Sequence, residues 1–203
     1  METLMQTTYP IAETFHSLQG EGAWAGTNAF FIRLAGCEVH CPWCDQKETW
    51  NARRFPQHEV TDLTQLVSQA NPAIVVITGG EPLQHDLTAL TQSLKERGFR
   101  LHLETSGAYP LSGVFDWITL SPKPFKAPHP SLYEKAQELK VIIADPSDFI
   151  WAESQSAKVP PQTLRYLQPE WNCADSQTWI IHYILRHPQW RFSLQTHKYL
   201  GVQ

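Results

Sequence analysis

The 203-residue sequence has no long apolar run and no excess of basic residues. A membrane-spanning helix needs about 20 mostly apolar residues, so we expect no membrane span. The net charge is −4, so the chain lacks the excess of basic residues that nucleic-acid-binding proteins use to bind phosphates. This favours a small-molecule substrate. The N-terminal stretch has neither the charged nor the apolar region of a secretory signal, and we therefore expect a cytoplasmic protein.

The composition is that of a folded chain. Hydrophobic residues make up 42% and charged residues 18%, and a chain of this length buries roughly 70% of its unfolded surface without cross-links. No internal repeat or low-complexity segment divides the chain. We therefore expect a single domain over residues 1–203, in which only the first eight residues are loosely held.

Short apolar runs alternate with helix-like or loop-like stretches, a pattern that indicates an α/β fold with a parallel sheet covered by helices. Periodicity predicts helices at 62–70, 83–97 and 176–186, with Gly98 ending the second. Because the gaps between later runs are short, we predict a partial, modified (β/α) barrel of about six parallel strands with a reduced helical layer. The strand-like runs are 29–34, 74–77, 101–103, 117–120, 139–143, 165–168 and 191–195.

Three of the four cysteines, Cys37, Cys41 and Cys44, lie within eight residues. In a reducing compartment such clustering indicates metal binding before a disulfide. Three thiolates on an iron–sulfur cluster leave one iron open for chemistry. Two alternatives stay open: a zinc site, which needs a fourth ligand beyond the crowded His40, and a redox-active CxxC pair, which leaves Cys37 without a role. The isolated Cys173 is interpreted as a small buried hydrophobic residue.

The motif CxxxCxxC, with an aromatic residue between its last two cysteines, resembles the signature of the radical S-adenosylmethionine enzymes. Further segments resemble one family of that superfamily, the 7-carboxy-7-deazaguanine synthases, from about Pro10 to the last residue. Most of these segments follow predicted strands at their carboxyl ends, where α/β folds bind ligands. The segments are 15–22, 31–37, 44–45, 78–82, 103–107, 121–123 and 195–200.

The resemblance implies a carbon–nitrogen lyase of queuosine (7-deazapurine) biosynthesis. Such an enzyme converts 6-carboxy-5,6,7,8-tetrahydropterin to 7-carboxy-7-deazaguanine by a radical ring contraction that releases ammonia. The implied cofactors are one [4Fe-4S] cluster on the three clustered cysteines, S-adenosylmethionine and Mg²⁺. The implied partners are the pterin, an electron donor such as a flavodoxin or ferredoxin, and a second copy of the chain. Candidate interface anchors are Trp151, Trp179 and Trp190.

The resemblance also implies roles for individual residues, although it assigns no proton-transfer group. Glu81 would pair with the methionine amino group, Glu21 would accept hydrogen bonds from the amino-pyrimidinone edge of the pterin, and Arg33 would bind the substrate carboxylate. The implied cofactor contacts are Trp43, Cys44, Asp45, Gly79, Gly80, Glu81, Ser106, Ser121, Pro122, Lys123, Gln168, Pro169, Glu170 and Trp171, with Glu104 assisting. The implied substrate contacts are Leu18, Gln19, Gly20, Glu21, Arg33, Thr78, His197 and the C-terminal carboxylate of Gln203.

Two features depart from the family pattern. Residues 170–171 differ from it, and Gln46 stands where the resemblance implies a threonine that helps to hold Mg²⁺. The amide of Gln46 has an oxygen on a longer arm, so it would ligate the ion, hold its water, or replace it at the substrate. We expect weaker metal dependence than in threonine-bearing relatives.

Two other functions stay open on the sequence: a radical enzyme that modifies another small heterocycle or a peptide, and a non-catalytic iron–sulfur or zinc protein that serves as a redox sensor or an interaction module. The run Gly79-Gly80-Glu81 argues against a sensor, because a sensor needs no site for a cofactor amine.

Overall fold

Nine strands form one sheet in the computed structural model, which describes residues 7–203. The strands are β1 (Thr8–Leu18), β2 (Asn28–Leu34), β3 (Gln57–Glu59), β4 (Ile74–Gly79), β5 (Leu101–Thr105), β6 (Trp117–Leu120), β7 (Glu138–Ile143), β8 (Leu164–Pro169) and β9 (Trp190–Phe192). Their order across the sheet is β3-β1-β2-β4-β5-β6-β7-β8-β9. The edges are therefore β3 and β9, and among residues 7–203 no pairing closes the barrel between them.

The strands from β2 through β4 to β9 pair in parallel, and β1 is antiparallel to both β2 and β3. The predicted partial barrel is thus confirmed, with seven parallel strands rather than about six. Each predicted run contains a strand, although the last strand ends at Phe192 rather than at residue 195. The sequence does not indicate β1 and β3, because polar residues interrupt their apolar pattern. Thr8, which we expected to be loosely held, begins β1; residues 1–6 lie outside the described part of the chain.

Six α-helices are present in residues 7–203: α1 (Val60–Ala70), α2 (Thr88–Glu96), α3 (Pro130–Lys135), α4 (Asp148–Ser156), α5 (Ser176–Ile184) and α6 (Thr196–Leu200). The predicted helices 62–70 and 176–186 are confirmed. Helix 83–97 is confirmed only in its second part, because Pro82–Gln84 forms a 3-10 turn. Gly98 ends α2 with φ of +83°, as expected of a glycine stop. None of these helices has the length and apolar character needed to cross a membrane.

Side chains alternate between the two faces of the parallel strands. On β2, Ile32 and Leu34 pack into the main core under the helices, whereas Arg33 lines the barrel interior. On β7, Leu139 enters the same core, whereas Lys140 lines the interior. The alternation therefore collects polar side chains from several strands in one place.

Two expectations about single residues are corrected. Trp190 is only 2% exposed and donates a hydrogen bond from Nε1 to Glu153 Oε1 (2.8 Å), so it belongs to the core and is not an interface anchor. Trp151 and Trp179 pack partly buried against that core. Cys173 is half-buried rather than buried.

Candidate active site

A cavity of about 760 Å³ opens at the carboxyl ends of the parallel strands. This is the edge at which α/β folds bind ligands, and the volume suits a small-molecule site. All but two of the predicted site residues line it. The lining residues are Leu18, Gln19, Gly20, Glu21, Arg33, Cys37, Cys41, Trp43, Cys44, Asp45, Gln46, Thr78, Gly79, Gly80, Ser106, Ser121, Lys123, Gln168, Pro169, Glu170, Trp171, His197 and Gln203. The two exceptions are Glu81 and Pro122.

The cysteine loop is held at its base by the backbone that follows it. Gly36 N donates to Thr49 O (2.7 Å) and Cys37 N donates to Trp50 O (3.1 Å). Gly36 has φ of +106°, a conformation that favours glycine. The loop therefore leaves β2 sharply and carries its thiols to the cavity wall.

The three thiols of the loop fit a cluster better than a zinc ion. Cys37 is buried, Cys41 and Cys44 are half-buried, and all three are free of disulfides. Among residues 7–203 no three His, Cys, Asp or Glu side chains converge on one ion position, as a structural zinc site requires. An iron–sulfur cluster takes one thiolate on each of three separate irons, so it makes no such demand.

The two glycines after β4 allow close packing of the strand ends. A Cβ on Gly79 would overlap the carbonyl oxygen of Leu34, and a Cβ on Gly80 would overlap that of Gly36. The same contacts carry hydrogen bonds, from Gly80 N to Leu34 O (2.9 Å) and from Glu81 N to Gly36 O (2.8 Å). These glycines thus join the end of β4 to the start of the cysteine loop, while their exposed side faces the cavity.

The carboxylate of Glu81 is turned away from the cavity. Glu81 is 1% exposed, and its Oε1 accepts hydrogen bonds from Leu83 N (3.0 Å) and Thr105 Oγ1 (2.5 Å). Its Oε2 accepts from Ser106 N (2.8 Å) and Ser106 Oγ (2.5 Å). Four protein donors thus already occupy the carboxylate that the resemblance pairs with a cofactor amine. Glu81 thereby ties the loop after β4 to the end of β5.

The loop after β6 presents Ser121 and Lys123 to the cavity, whereas Pro122 is buried beneath it. Lys123 Nζ donates to Ser121 O (2.8 Å) and Ser121 Oγ (2.6 Å). Burial lowers the pKa of Lys123, and the nearby Cys41 thiol opposes that effect. Of these three predicted cofactor contacts, Ser121 and Lys123 line the cavity and Pro122 does not.

The C-terminal helix α6 contributes His197 and Lys198 to the cavity wall. Lys198 Nζ pairs with Asp45 Oδ2 (3.0 Å), which directly follows the cysteine motif, and lies 4.8 Å from the ring centroid of Trp171. Thr196 N donates to Gly20 O (2.9 Å). A Cβ on Gly20 would overlap His197 Nδ1, so a glycine at this position allows the His197 ring to lie against the backbone. Helix α6 therefore contacts both the segment after the cysteine motif, at Asp45, and the loop after β1, at Gly20.

Arg33 is oriented by a neighbouring carboxylate. Arg33 Nε donates to Glu13 Oε1 (2.7 Å), and the side chain of Gln203 donates to Glu13 Oε2 (2.9 Å). Within residues 7–203 the two Nη groups of Arg33 make no hydrogen bond. They are therefore available to a ligand carboxylate as a fork of donors.

Glu21 forms a buried ion pair with Lys140, with side-chain exposures of 14% and 6%. Gln195 Nε2 also donates to Glu21 Oε1 (2.9 Å). Burial alone raises the pKa of Glu21, but Lys140 and the hydrogen bonds outweigh it and lower that pKa to about 2. Burial likewise lowers the pKa of Lys140, but the carboxylates of Glu21, Glu104 and Glu138 outweigh it and raise that pKa. The pair is therefore ionised at neutral pH.

Sequence reasoning misses Lys140 and Glu138 and places Glu104 only beside the cofactor. Glu104 Oε1 accepts from Gln19 Nε2 (2.9 Å), and Glu138 Oε2 accepts from Ala23 N (3.0 Å). Burial raises the pKa of Glu138. The signal that finds these residues is a charged side chain inside an apolar run, because such a charge needs a buried partner.

Comparisons with known proteins agree with this geometry. The Radical SAM superfamily matches residues 31–120. A 7-carboxy-7-deazaguanine synthase from Synechocystis sp. is 64% identical, over 98% of this chain and 96% of the relative. One from Flavobacterium psychrophilum is 49% identical, over 95% and 92%. The crystal structure of QueE from Escherichia coli superposes with a TM-score of 0.83 at 31% identity, over 92% of this chain and 93% of that chain.

Proposed function

The chain belongs to the 7-carboxy-7-deazaguanine synthase family of radical S-adenosylmethionine enzymes, and on that premise we propose that it contracts the ring of 6-carboxy-5,6,7,8-tetrahydropterin. The product would be 7-carboxy-7-deazaguanine for queuosine biosynthesis, with ammonia as leaving group, which makes the enzyme a carbon–nitrogen lyase. One observation carries the proposal: a single cavity joins the three cysteines to the anionic Glu21 and to the Nη groups of Arg33, which make no hydrogen bond within residues 7–203.

Membership of the superfamily implies an iron–sulfur cluster and S-adenosylmethionine. We propose Cys37, Cys41 and Cys44 as the cluster ligands, with the exposed backbone of Gly79 and Gly80 beside the cofactor. When bound, the two groups together supply a deoxyadenosyl radical that takes a hydrogen atom from the substrate. The residues of this chain would bind and orient the substrate for that step.

The substrate end of the cavity supports recognition of a carboxylated pterin. The Nη groups of Arg33 would bind the carboxylate as a two-pronged donor. The ionised Glu21 would accept the paired N–H donors of the amino-pyrimidinone edge. His197, beside Gly20, would close over the substrate, and the pair between Lys198 and Asp45 would hold α6 in that position.

For Mg²⁺ we propose that Gln46 supplies at most one protein oxygen. Its side chain makes no hydrogen bond in the described part of the chain, and the neighbouring Asp45 is already paired with Lys198. Magnesium binds with so few protein ligands when water and substrate oxygens fill the rest of its octahedron. The proposal therefore includes a weaker metal dependence than in threonine-bearing relatives.

Family resemblance supports three further proposals: a homodimer, a flavodoxin or ferredoxin as electron donor, and a cytoplasmic location. A single domain over residues 1–203 is proposed on length and composition.

The proposal is tested by anaerobic reconstitution of the protein with iron and sulfide, followed by turnover of substrate deuterated at C6 in the presence of S-adenosylmethionine and a one-electron reductant. We expect product, ammonia and deuterium in 5′-deoxyadenosine. The matched variants are Cys41→Ala, which should lose the cluster and turnover, and Cys173→Ala, which should keep both. Cluster assembly without any reaction of the pterin would contradict the proposed substrate and leave the redox-sensor alternative.

A further inference from the structure

Lys140 is a buried charged residue that the proposed function leaves without a role. It extends from β7 into the cavity, is 5% exposed and pairs with Glu21 Oε2. Two residues earlier on the same face of β7, Glu138 accepts a hydrogen bond from Ala23 N (3.0 Å). Strand β7 therefore holds the loop that contains Glu21 at two points.

The carboxylate of Glu21 is fixed at both oxygens. Lys140 binds Oε2, and Gln195 Nε2 donates to Oε1 (2.9 Å). The backbone N of Glu21 donates to Gln19 Oε1 (3.0 Å), and a Cβ on Gly22 would overlap Glu138. The loop consequently has little freedom to turn Glu21 in another direction.

We propose that Lys140 is a positioning residue that keeps Glu21 anionic and aimed into the cavity, and that this selects substrates with two adjacent N–H donors. The inference rests on the proposed function, because that function makes Glu21 the partner of the pterin edge. An ionised carboxylate only accepts hydrogen bonds, whereas a protonated one presents a donor to the donors of the substrate. Lys140 thus determines specificity for a 2-amino-4-oxopyrimidine ring without having to contact it.

The charges around the pair support this role. Without Lys140, burial raises the pKa of Glu21 against only the hydrogen bond from Gln195 and the charge of His197, and the neighbouring carboxylates lose the cation that balances them. With Lys140 present, that pKa is about 2 and Glu21 stays ionised throughout the range in which enzymes are assayed. The charged or titratable groups around the pair are Glu104, Lys123, Glu138 and His197.

The test measures pterin binding to the reconstituted enzyme with S-adenosylmethionine, from about pH 6 to about pH 8, in Lys140→Met and Lys140→Arg. In Lys140→Met the raised pKa of Glu21 should make binding weaken as pH falls, by up to about tenfold per pH unit. Lys140→Arg keeps the cation and should retain the pH profile of the wild type. Lys140→Gln is the second uncharged variant, should Met prevent folding, and should show the same slope.

The matched background is Glu21→Gln, in which no carboxylate remains to titrate. Adding Lys140→Met to it should create no new pH dependence, and the two changes should be strongly non-additive. A uniform loss of affinity at every pH in Lys140→Met, repeated in the Glu21→Gln background, would overturn the proposal and leave only a structural role. If instead the proposed function is wrong, the wild type itself will not bind the pterin, so the two failures are distinguishable.

Discussion

The buried carboxylate of Glu81 allows a sharp test of what the Gly79-Gly80-Glu81 run does in this chain. We predict that Glu81→Gln destabilises the protein even when cluster and cofactor are absent. The prediction follows from geometry: four donors of the protein itself, two of them backbone N–H groups, converge on the two carboxylate oxygens. These four contacts stabilise the fold whether or not a cofactor is bound.

The magnitude can be worked from the same four contacts. A glutamine keeps one acceptor oxygen and places an NH₂ group where the other oxygen was. The hydroxyls of Thr105 and Ser106 can rotate to accept from it, but either Leu83 N or Ser106 N is left without an acceptor. A buried unpaired N–H costs about 1–3 kcal/mol, and loss of the charge weakens the remaining bonds, for about 2–4 kcal/mol in total. At this chain length that corresponds to a fall in Tm of about 4–16 °C.

The assay is thermal unfolding of cluster-free protein, followed by circular dichroism. Glu134→Gln is the control, because Glu134 is exposed and its substitution should change the free energy of unfolding by less than about 0.5 kcal/mol. An unchanged Tm in Glu81→Gln, together with a loss of S-adenosylmethionine affinity in reconstituted enzyme, would refute the reasoning. That outcome would show that the Glu81 side chain binds the cofactor.

Three further predictions concern the substrate end and the metal. Gly20→Ala should raise KM for the pterin by at least about tenfold, because the new Cβ displaces His197; an unchanged KM would contradict the contact. Turnover titrated with Mg²⁺ after chelation should be stimulated only slightly, and Gln46→Thr should increase the stimulation; a large stimulation of the wild type opposes this. A tag added after Gln203 should weaken substrate binding, whereas an N-terminal tag should not; equal affinity for both tagged proteins would remove the tail from the site.

The sequence predicts the parallel strands well because each is marked by the residue pattern of one short segment. Each of the seven runs is a short stretch with apolar residues that precedes a turn or polar motif, and each contributes a strand of the barrel. The antiparallel strand β1 escapes prediction because Glu13, His16 and Ser17 interrupt its apolar pattern. Its stability comes from pairing with β2 along most of its length, which is a tertiary contact.

The candidate site divides in the same manner. Nearly all the site residues expected from the cysteine spacing and the resemblance line one cavity. The direction of a single side chain is harder to predict, as Glu81 and Pro122 show, because neighbouring donors and local packing decide it. Arg33 is an intermediate case: a charge in an apolar strand predicts a partner, but only the β1–β2 register identifies Glu13.

The sequence by itself determined the seven parallel strands, helices α1 and α5 and part of α2, the cysteine loop and the family, since these depend on residue types at short spacings. Only the tertiary structure decided that Glu81 is saturated by protein donors and that Lys140 meets Glu21 from 119 residues away. The physical reason is that a buried charge is satisfied by whichever groups the packed strands bring next to it. Strand packing therefore determines the charge and direction of the Glu21 carboxylate, which we propose binds the substrate.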